Sequence, residues 1–317
     1  MRRLTEAIRR IRWGPVIGIL VSGAALYYSV RNLHLREVWL AFQGARYIWV
    51  LPGIALYLLA LGARTARWRQ LLSAQRLIPM RQLLPTMAMG RGANNIYPFR
   101  TGEIVRVLIL QRRNAVPVSA GLASILVERT FDGLTMILIL IVAALIGGIP
   151  AYLRPVMGFA MLVFGVALVG IYAIVLWPLP FHRAATWVIE RFAPRRFQKR
   201  LLDVAERFIN GFASIRSVGT LTLVLLFSIS VWTLETISYR LLMNAFGFSV
   251  TLHELLLMSG AANLGTALPS GPGNVGTFDA PAIEVLTRIG IPKDTAFSYQ
   301  MVLHTVLWCT ETFYGLY

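Results

Sequence analysis

The sequence predicts an all-α polytopic membrane protein of about six full spans plus two broken, re-entrant helical hairpins arranged as an inverted repeat. Three observations carry this reading. Apolar residues make up 56% of the chain against 14% charged, with a mean hydropathy of +0.64, more apolar surface than a water-soluble core can hide. Two Gly/Pro-broken segments, 82–113 and 252–290, interrupt the apolar runs. The first contains GRGANNIYPFRTGEIVRVLILQRR from Gly90, and its Arg91, Asn94, Asn95, Tyr97, Arg100, Glu103 and Arg106 are too polar for lipid contact unless the segment lies inside protein or lines a wet cavity. Pro98 and Gly102 divide it into halves too short for a simple crossing.

In chain order, residues 1–13 form a basic amphipathic start and 14–30 a first span. No small-residue cleavage site follows, which favours a retained span with a cytoplasmic N-terminus over a signal peptide. Residues 31–46 read as an interfacial helix and 47–62 as the second span, followed by the first broken hairpin, 82–113. Residues 119–147 form a long span with Glu128, Arg129 and Asp132 in its first half, and 156–177 a plain apolar span. Residues 181–217 are basic and amphipathic, as helices lying on the cytoplasmic membrane surface are. A span at 220–242, the second hairpin at 252–290 and a last span from 295 complete a single transmembrane domain over 1–317. The chain reaches Tyr317 without the polar flank expected after a span and reads as trimmed there.

With the N-terminus inside, the cytoplasmic stretches hold 22 of the 31 basic residues and the outer ones 7, the asymmetry expected of a multi-pass protein of the cell inner (plasma) membrane. The net charge of +17 therefore calls for no nucleic-acid partner. The single cysteine, Cys309, lies in an apolar run and has no internal disulfide partner.

A shift of 171 residues sets the 47–62 span on the start of the 220–242 span, Leu84 on Leu255, Pro98 on Pro269 and Gly102 on Gly273; about four further residues then bring Pro117 onto Pro292. Repeat 1 is 47–147 and repeat 2 is 218–317, each a span, a broken hairpin and a span. Counting crossings makes them inverted, the recurrent design of alternating-access transporters.

In the first hairpin, Gly102 and Glu103 begin a helix whose free N–H groups, with Arg91, Arg100 and Arg106, favour an anion such as phosphate. The plainer reading makes Glu103 a cap paired with Arg106, and lets Arg100 reach the cytoplasmic headgroups. Glu128 and Asp132, at i and i+4, share a helix face, and a charge near the bilayer centre costs on the order of 3 kcal/mol. A cation must sit between them: Arg129, Arg91, Arg100 or a cationic headgroup. A purely internal salt-bridge network is the alternative. In the second hairpin, PSGPGNVGTFDAP offers Ser270, Asn274 and Asp279 on a loop that is either buried at membrane depth or a plain outer connection. Glu235, Glu284, His304 and Glu311 are weaker candidates. His304 falls near the repeat position of Glu128, where it is a candidate for proton coupling.

GRGANNIYPFRTGEIVRVLIL, then VERTFD, then LPSGPGNVGTFD resemble a flippase-like membrane family that includes the transmembrane region of lysylphosphatidylglycerol synthases. The match runs through Asn94 or Asn95, Pro98, Arg100, Gly102, Glu103, Arg106, Glu128, Arg129, Asp132, Pro269, Ser270, Pro272, Gly273 and Gly276. Asn274 stands where the family pattern has glycine, and Asp279 where it has glutamate. The resemblance implies movement of a phospholipid or lipid-linked headgroup between leaflets, with lipid aminoacylation done by a separate soluble domain. The expected substrate-binding residues are Arg91, Asn94, Asn95, Arg100, Glu103, Arg106, Glu128, Arg129, Asp132, Ser270, Asn274 and Asp279. The expected partners are membrane lipids, whether anionic or aminoacylated phospholipid or isoprenoid-linked lipid, and a homodimer is left open. No catalytic residue, metal or cofactor is expected. The alternatives are an intramembrane transferase or hydrolase of lipid phosphates with Glu128 or Asp132 as base, and a scaffold docking through 181–217.

Overall fold

The computed structural model describes residues 13–97, 100–212 and 217–316; the basic start, Pro98 and residues 213–216 lie outside them. Every regular element among the described residues is helical: α1 (Trp13–Val30), α2 (Leu35–Gly44), a 3-10 turn (Tyr47–Trp49) leading into α3 (Val50–Leu72), α4 (Met80–Ile96), α5 (Thr101–Asn114), α6 (Val118–Gly147), α7 (Arg154–Leu176), α8 (Pro178–Phe192), α9 (Arg195–Asn210), α10 (Val218–Ala245), α11 (Leu252–Gly265), a 3-10 turn (Pro272–Asn274), α12 (Asp279–Arg288) and α13 (Lys293–Leu316).

Among the described residues, four segments are long and apolar enough to cross a membrane: Tyr47–Leu72, Val118–Gly147, Arg154–Leu176 and Val218–Ala245. Helices α1 (18 residues) and α13 (24 residues) coincide in extent with the other two expected spans, and α13 carries Gln300, His304 and Glu311. The second span runs further than expected, to Leu72, and Arg64 and Arg67 inside it are 2% and 0% exposed. Counted from sequence as cytoplasmic loop charges, both are interior groups, because carboxylates on neighbouring helices pair with them.

The hairpin helices are short. At 1.5 Å per residue, α12 is about 15 Å long and α5 and α11 about 21 Å, less than the ~30 Å hydrocarbon core. Local chemistry sets their ends. Arg100 takes a left-handed conformation (φ 51°) immediately before α5, and Ala115 (φ 56°) closes α5 just before Pro117, which starts α6. Thr251 and Glu254 form a reciprocal capping box at the start of α11. In the second hairpin, Gly273, Asn274 and Gly276 all have positive φ.

Helix α3 packs along α10, α4 along α13 and α6 along α11; within each hairpin α4 packs on α5, and α11 on α12. Gly53 O accepts from Ser238 Oγ at 3.0 Å, Arg64 reaches Glu235, and Arg67 Nη1 donates to Ser228 Oγ at 2.9 Å, so α3 and α10 cross antiparallel. Helix α2 lies on α13, and α9 lies on α6. The inward face of the α9 segment buries Ile209 and Phe212, while Phe197, Leu201 and Val204 stay exposed, as an interfacial helix requires. Helix α1 lies along the second hairpin, where Ser22 Oγ accepts from Gly271 N at 2.8 Å.

Close helix approach depends on glycine where α4 meets α5. A Cβ on Gly102 would lie against Gly90 O and within 2.7 Å of Asn94 N and Oδ1. Gly102→Ala is therefore expected to cost about 1–3 kcal/mol by overpacking. Gly165→Ala in α7, where a Cβ meets nothing within 4 Å, is expected to leave the melting temperature in detergent unchanged.

Candidate functional site

A network of buried charge fills the centre, built from the ends of the hairpins and the middles of α3, α6, α10 and α13. Arg64 Nη2 meets Glu235 Oε1 at 2.5 Å, with its guanidinium 4.6 Å from the Trp232 ring centre. Arg67 Nη1 meets Asp132 Oδ1 at 2.7 Å, and its Nη2 meets Glu128 Oε1 at 3.4 Å. Arg106 Nη2 donates to Glu128 Oε2 at 2.9 Å and stacks on Trp68. Arg129 bridges Glu103 at 2.9 Å, Asp132 at 3.4 Å and Glu128 at 3.5 Å. Arg91 pairs with Glu311 and donates to Tyr57 OH at 3.0 Å. Glu128 and Asp132 are thus neutralised by Arg67, Arg106 and Arg129. Arg91 and Arg100, the other cations expected there, lie elsewhere.

Six arginines (64, 67, 91, 100, 106 and 129) meet five carboxylates (103, 128, 132, 235 and 311) in these pairs. The excess cation is Arg100. Its nearest carboxylate oxygen, on Glu103, is 3.8 Å away, and its Nη2 donates to Thr266 O at 2.6 Å and Thr266 Oγ1 at 3.0 Å.

Two adjoining chambers open onto this network. The polar one, about 110 Å³, is walled by Arg64, Arg91, Arg100 and Arg129 together with Asn94, Asn95, Asn274 and His304. The other, about 330 Å³, shares Arg100, Arg129, Trp232, Asn263 and Thr266 with it and continues along Met136, Val163, Phe164 and Leu264. The hairpin tips meet here. Asn95 Nδ2 donates to Thr312 Oγ1 at 3.1 Å, and the Pro272–Asn274 turn packs on α4.

Of the twelve expected site residues, Arg91, Asn94, Asn95, Arg100, Arg129 and Asn274 wall the polar chamber, and Glu103 and Asp132 reach its neighbour. Arg106, Glu128, Ser270 and Asp279 line neither and are at most 5% exposed. The first two are spent on each other; Ser270 Oγ donates to Asn274 Oδ1 at 2.8 Å. Asp279 accepts from Gly276 N at 2.8 Å and lies behind Gln300 and His304. The plain-connection reading of the second hairpin does not hold, since its turn forms part of the chamber wall. Arg64, Glu235, Tyr57 and Glu311 are central although the sequence reading left them weak or unmarked. The one signal for Arg64 and Glu235 is that they lie 171 residues apart, the repeat offset itself.

Residues 16–315 match the family described as Lysylphosphatidylglycerol synthase TM region. The chain belongs to this family. Among curated relatives, Glycosyltransferase AglD of Haloferax volcanii is 23% identical over 296 residues, 83% of this chain and 47% of that protein, so the chain spans about half of AglD's length. Two UPF0104 membrane proteins of Methanothermobacter thermautotrophicus are 24% and 22% identical, each over 90% of this chain and 86% and 88% of their own lengths. No solved structure matches it. The family assignment and the apolar helices establish a multi-pass membrane protein.

Breaking a buried ion pair leaves an uncompensated charge, costing about 3–5 kcal/mol. Arg64→Glu and Glu235→Arg are each expected to lose about that much stability, read as loss of the monodisperse peak on size exclusion. The double exchange, Arg64→Glu with Glu235→Arg, is expected to recover more than half of it.

Proposed function

We propose that this protein moves an amphiphile with an anionic headgroup between the leaflets of the cell inner membrane by alternating access. The substrate class is an anionic or aminoacylated phospholipid or an isoprenoid-linked phosphate. The observation that carries the reading is the single excess arginine on a polar chamber that continues into one with apolar walls. The phosphate of such a headgroup balances Arg100, hydrogen-bonds to Asn94, Asn95 and Asn274, and leaves its chain beside Val163 and Phe164.

The inverted repeat is part of this proposal, and packing supports it. Exchanging α3 with α10, α4 with α11, α5 with α12 and α6 with α13 turns the contact of α4 on α13 into that of α11 on α6, and each hairpin's internal contact into the other's. The exchange also places Arg64 on Glu235, and the antiparallel crossing of α3 and α10 is what inversion demands. Repeat 1 takes the headgroup from the cytoplasmic side, repeat 2 delivers it outside, and α8 and α9 rest on the inner leaflet with the N-terminus cytoplasmic.

AglD's printed name is the one observation in favour of the enzyme alternative. It belongs to a chain about twice as long, and Glu128 and Asp132, the expected bases, are both held by arginines. The chain is therefore read as non-catalytic.

Leaflet exchange of fluorescent anionic, aminoacylated and neutral phospholipids in proteoliposomes tests the proposal. Wild type is expected to move at least one anionic or aminoacylated lipid, and Arg100→Ala to slow it at least about tenfold, the loss of about 1.4 kcal/mol of headgroup interaction, without a matching drop in melting temperature. Equal rates for wild type and empty vesicles with every lipid, isoprenoid phosphates included, would rule transport out.

A further inference from the structure

His304 on α13 is bonded at both ring nitrogens. Nδ1 lies 2.8 Å from Asp279 Oδ1, and Nε2 lies 2.9 Å from the carbonyl oxygen of Gly273. With Asp279 ionised both partners are acceptors, so the site is built to hold the ring as an imidazolium with hydrogen on both nitrogens. Asp279 is built for this role. It is 0% exposed, and its two oxygens also accept from Gln300 Nε2 at 3.1 Å and Gly276 N at 2.8 Å, which fixes the carboxylate against the ring.

The repeat relation makes the pair more telling. The offset that sets Pro117 on Pro292 sets Arg129 on His304. Arg129 binds Glu103 at 2.9 Å as His304 binds Asp279. Both cations wall the polar chamber, one with a permanent charge and the other with a charge that can be removed.

The remaining charged or titratable groups facing this chamber do not compete for that role. Helices α3, α4 and α10 present Tyr57 and Arg64, Arg91, and Glu235 and Tyr239; Arg100 and Arg129 face it from the first hairpin and α6, and Glu311 lies further along α13, bound by Arg91. Helix α2, which also packs on α13, brings no charged residue to the wall. Arginine keeps its charge, tyrosine ionises only near about pH 10, and both glutamates are held by arginines. Among these wall groups His304 is the one whose side chain, unperturbed, changes charge between about pH 5 and 8.

We infer that His304 is a proton-binding site through which a transmembrane proton gradient drives the lipid movement proposed above, an inference that rests on that reading. The proton binds Nε2 from one aqueous phase, forms the bond to Gly273 O, and leaves Nε2 to the other phase. Loss of it turns the nitrogen lone pair towards the carbonyl oxygen, and that repulsion releases the Pro272–Asn274 turn. Gly273 lies beside Trp308 and near Asn95 O, so the released turn loosens the contact between the two hairpin tips. Deprotonation also removes one positive charge from the chamber and weakens its hold on an anionic headgroup.

The test uses proteoliposomes with an internal pH dye and fluorescent anionic lipid, comparing wild type with His304→Gln. The readout is the ratio of lipid movement with and without an imposed pH gradient, so that a lower absolute rate in the variant does not matter. Wild type is expected to give a ratio of about five or more, with proton flux accompanying lipid, and the variant a ratio near one with no coupled flux. Wild-type movement that ignores the gradient overturns this inference alone and leaves the transport reading standing, as does a variant that keeps the wild-type ratio. No lipid movement by wild type overturns both. Should His304→Gln fail to fold, nitrogen NMR of the wild-type ring decides: two N–H groups at pH 6 support the inference, and a neutral ring overturns it.

Discussion

Charge compensation at membrane depth is the constraint on which the rest of this structure depends. Arg64 and Arg67 sit in the C-terminal half of α3, buried among other helices, and nothing in hydrocarbon could satisfy them. Each therefore needs a carboxylate from another helix: Glu235 on α10, and Glu128 and Asp132 on α6. These pairs tie α3, α6 and α10 together with little room for slippage, since a shift of one turn would strand several charges at once. The hairpins then close over this core and add Arg106, Arg100 and Arg91.

The pairing separates two groups of residues. Arg106 and Glu128 are paired, buried and away from both chambers, although they lie in the stretches with the strongest family resemblance. Residues whose hydrogen-bonding capacity is only partly used gather at the hairpin tips. Arg100 is held chiefly by a threonine, and Asn94 Oδ1 is buried with no partner among the described residues.

Much of this was legible in the sequence. Polar residues in Gly/Pro-broken stretches cannot face lipid, and that argument alone singles out six of the eight expected site residues that line the chambers, Arg91, Asn94, Asn95, Arg100, Glu103 and Asn274. The i, i+4 spacing of Glu128 and Asp132 announced that cations were needed, but spacing within one helix says nothing of which other helix supplies them. Arg64 and Arg67 both read from sequence as loop charges, because an arginine near the end of an apolar run looks the same whether it emerges or is buried. Asp279 reads from sequence as a group on the substrate, whereas it is fully buried behind His304 and Gln300. The extents of α1 and α13 are legible as apolar runs, and α13 carries Gln300, His304 and Glu311 because a helix enclosed by other helices need not be apolar all round.

The pairing between distant helices also constrains how the protein is made. A ribosome completes Arg64 and Arg67 long before Asp132, and Glu235 emerges 171 residues after Arg64. Each arginine would cost up to about 2.5–3.5 kcal/mol if carried alone to the membrane centre. Stable burial of α3 to its C-terminal end therefore depends on carboxylates from α6 and then α10, so the second half of the chain completes the packing of the first.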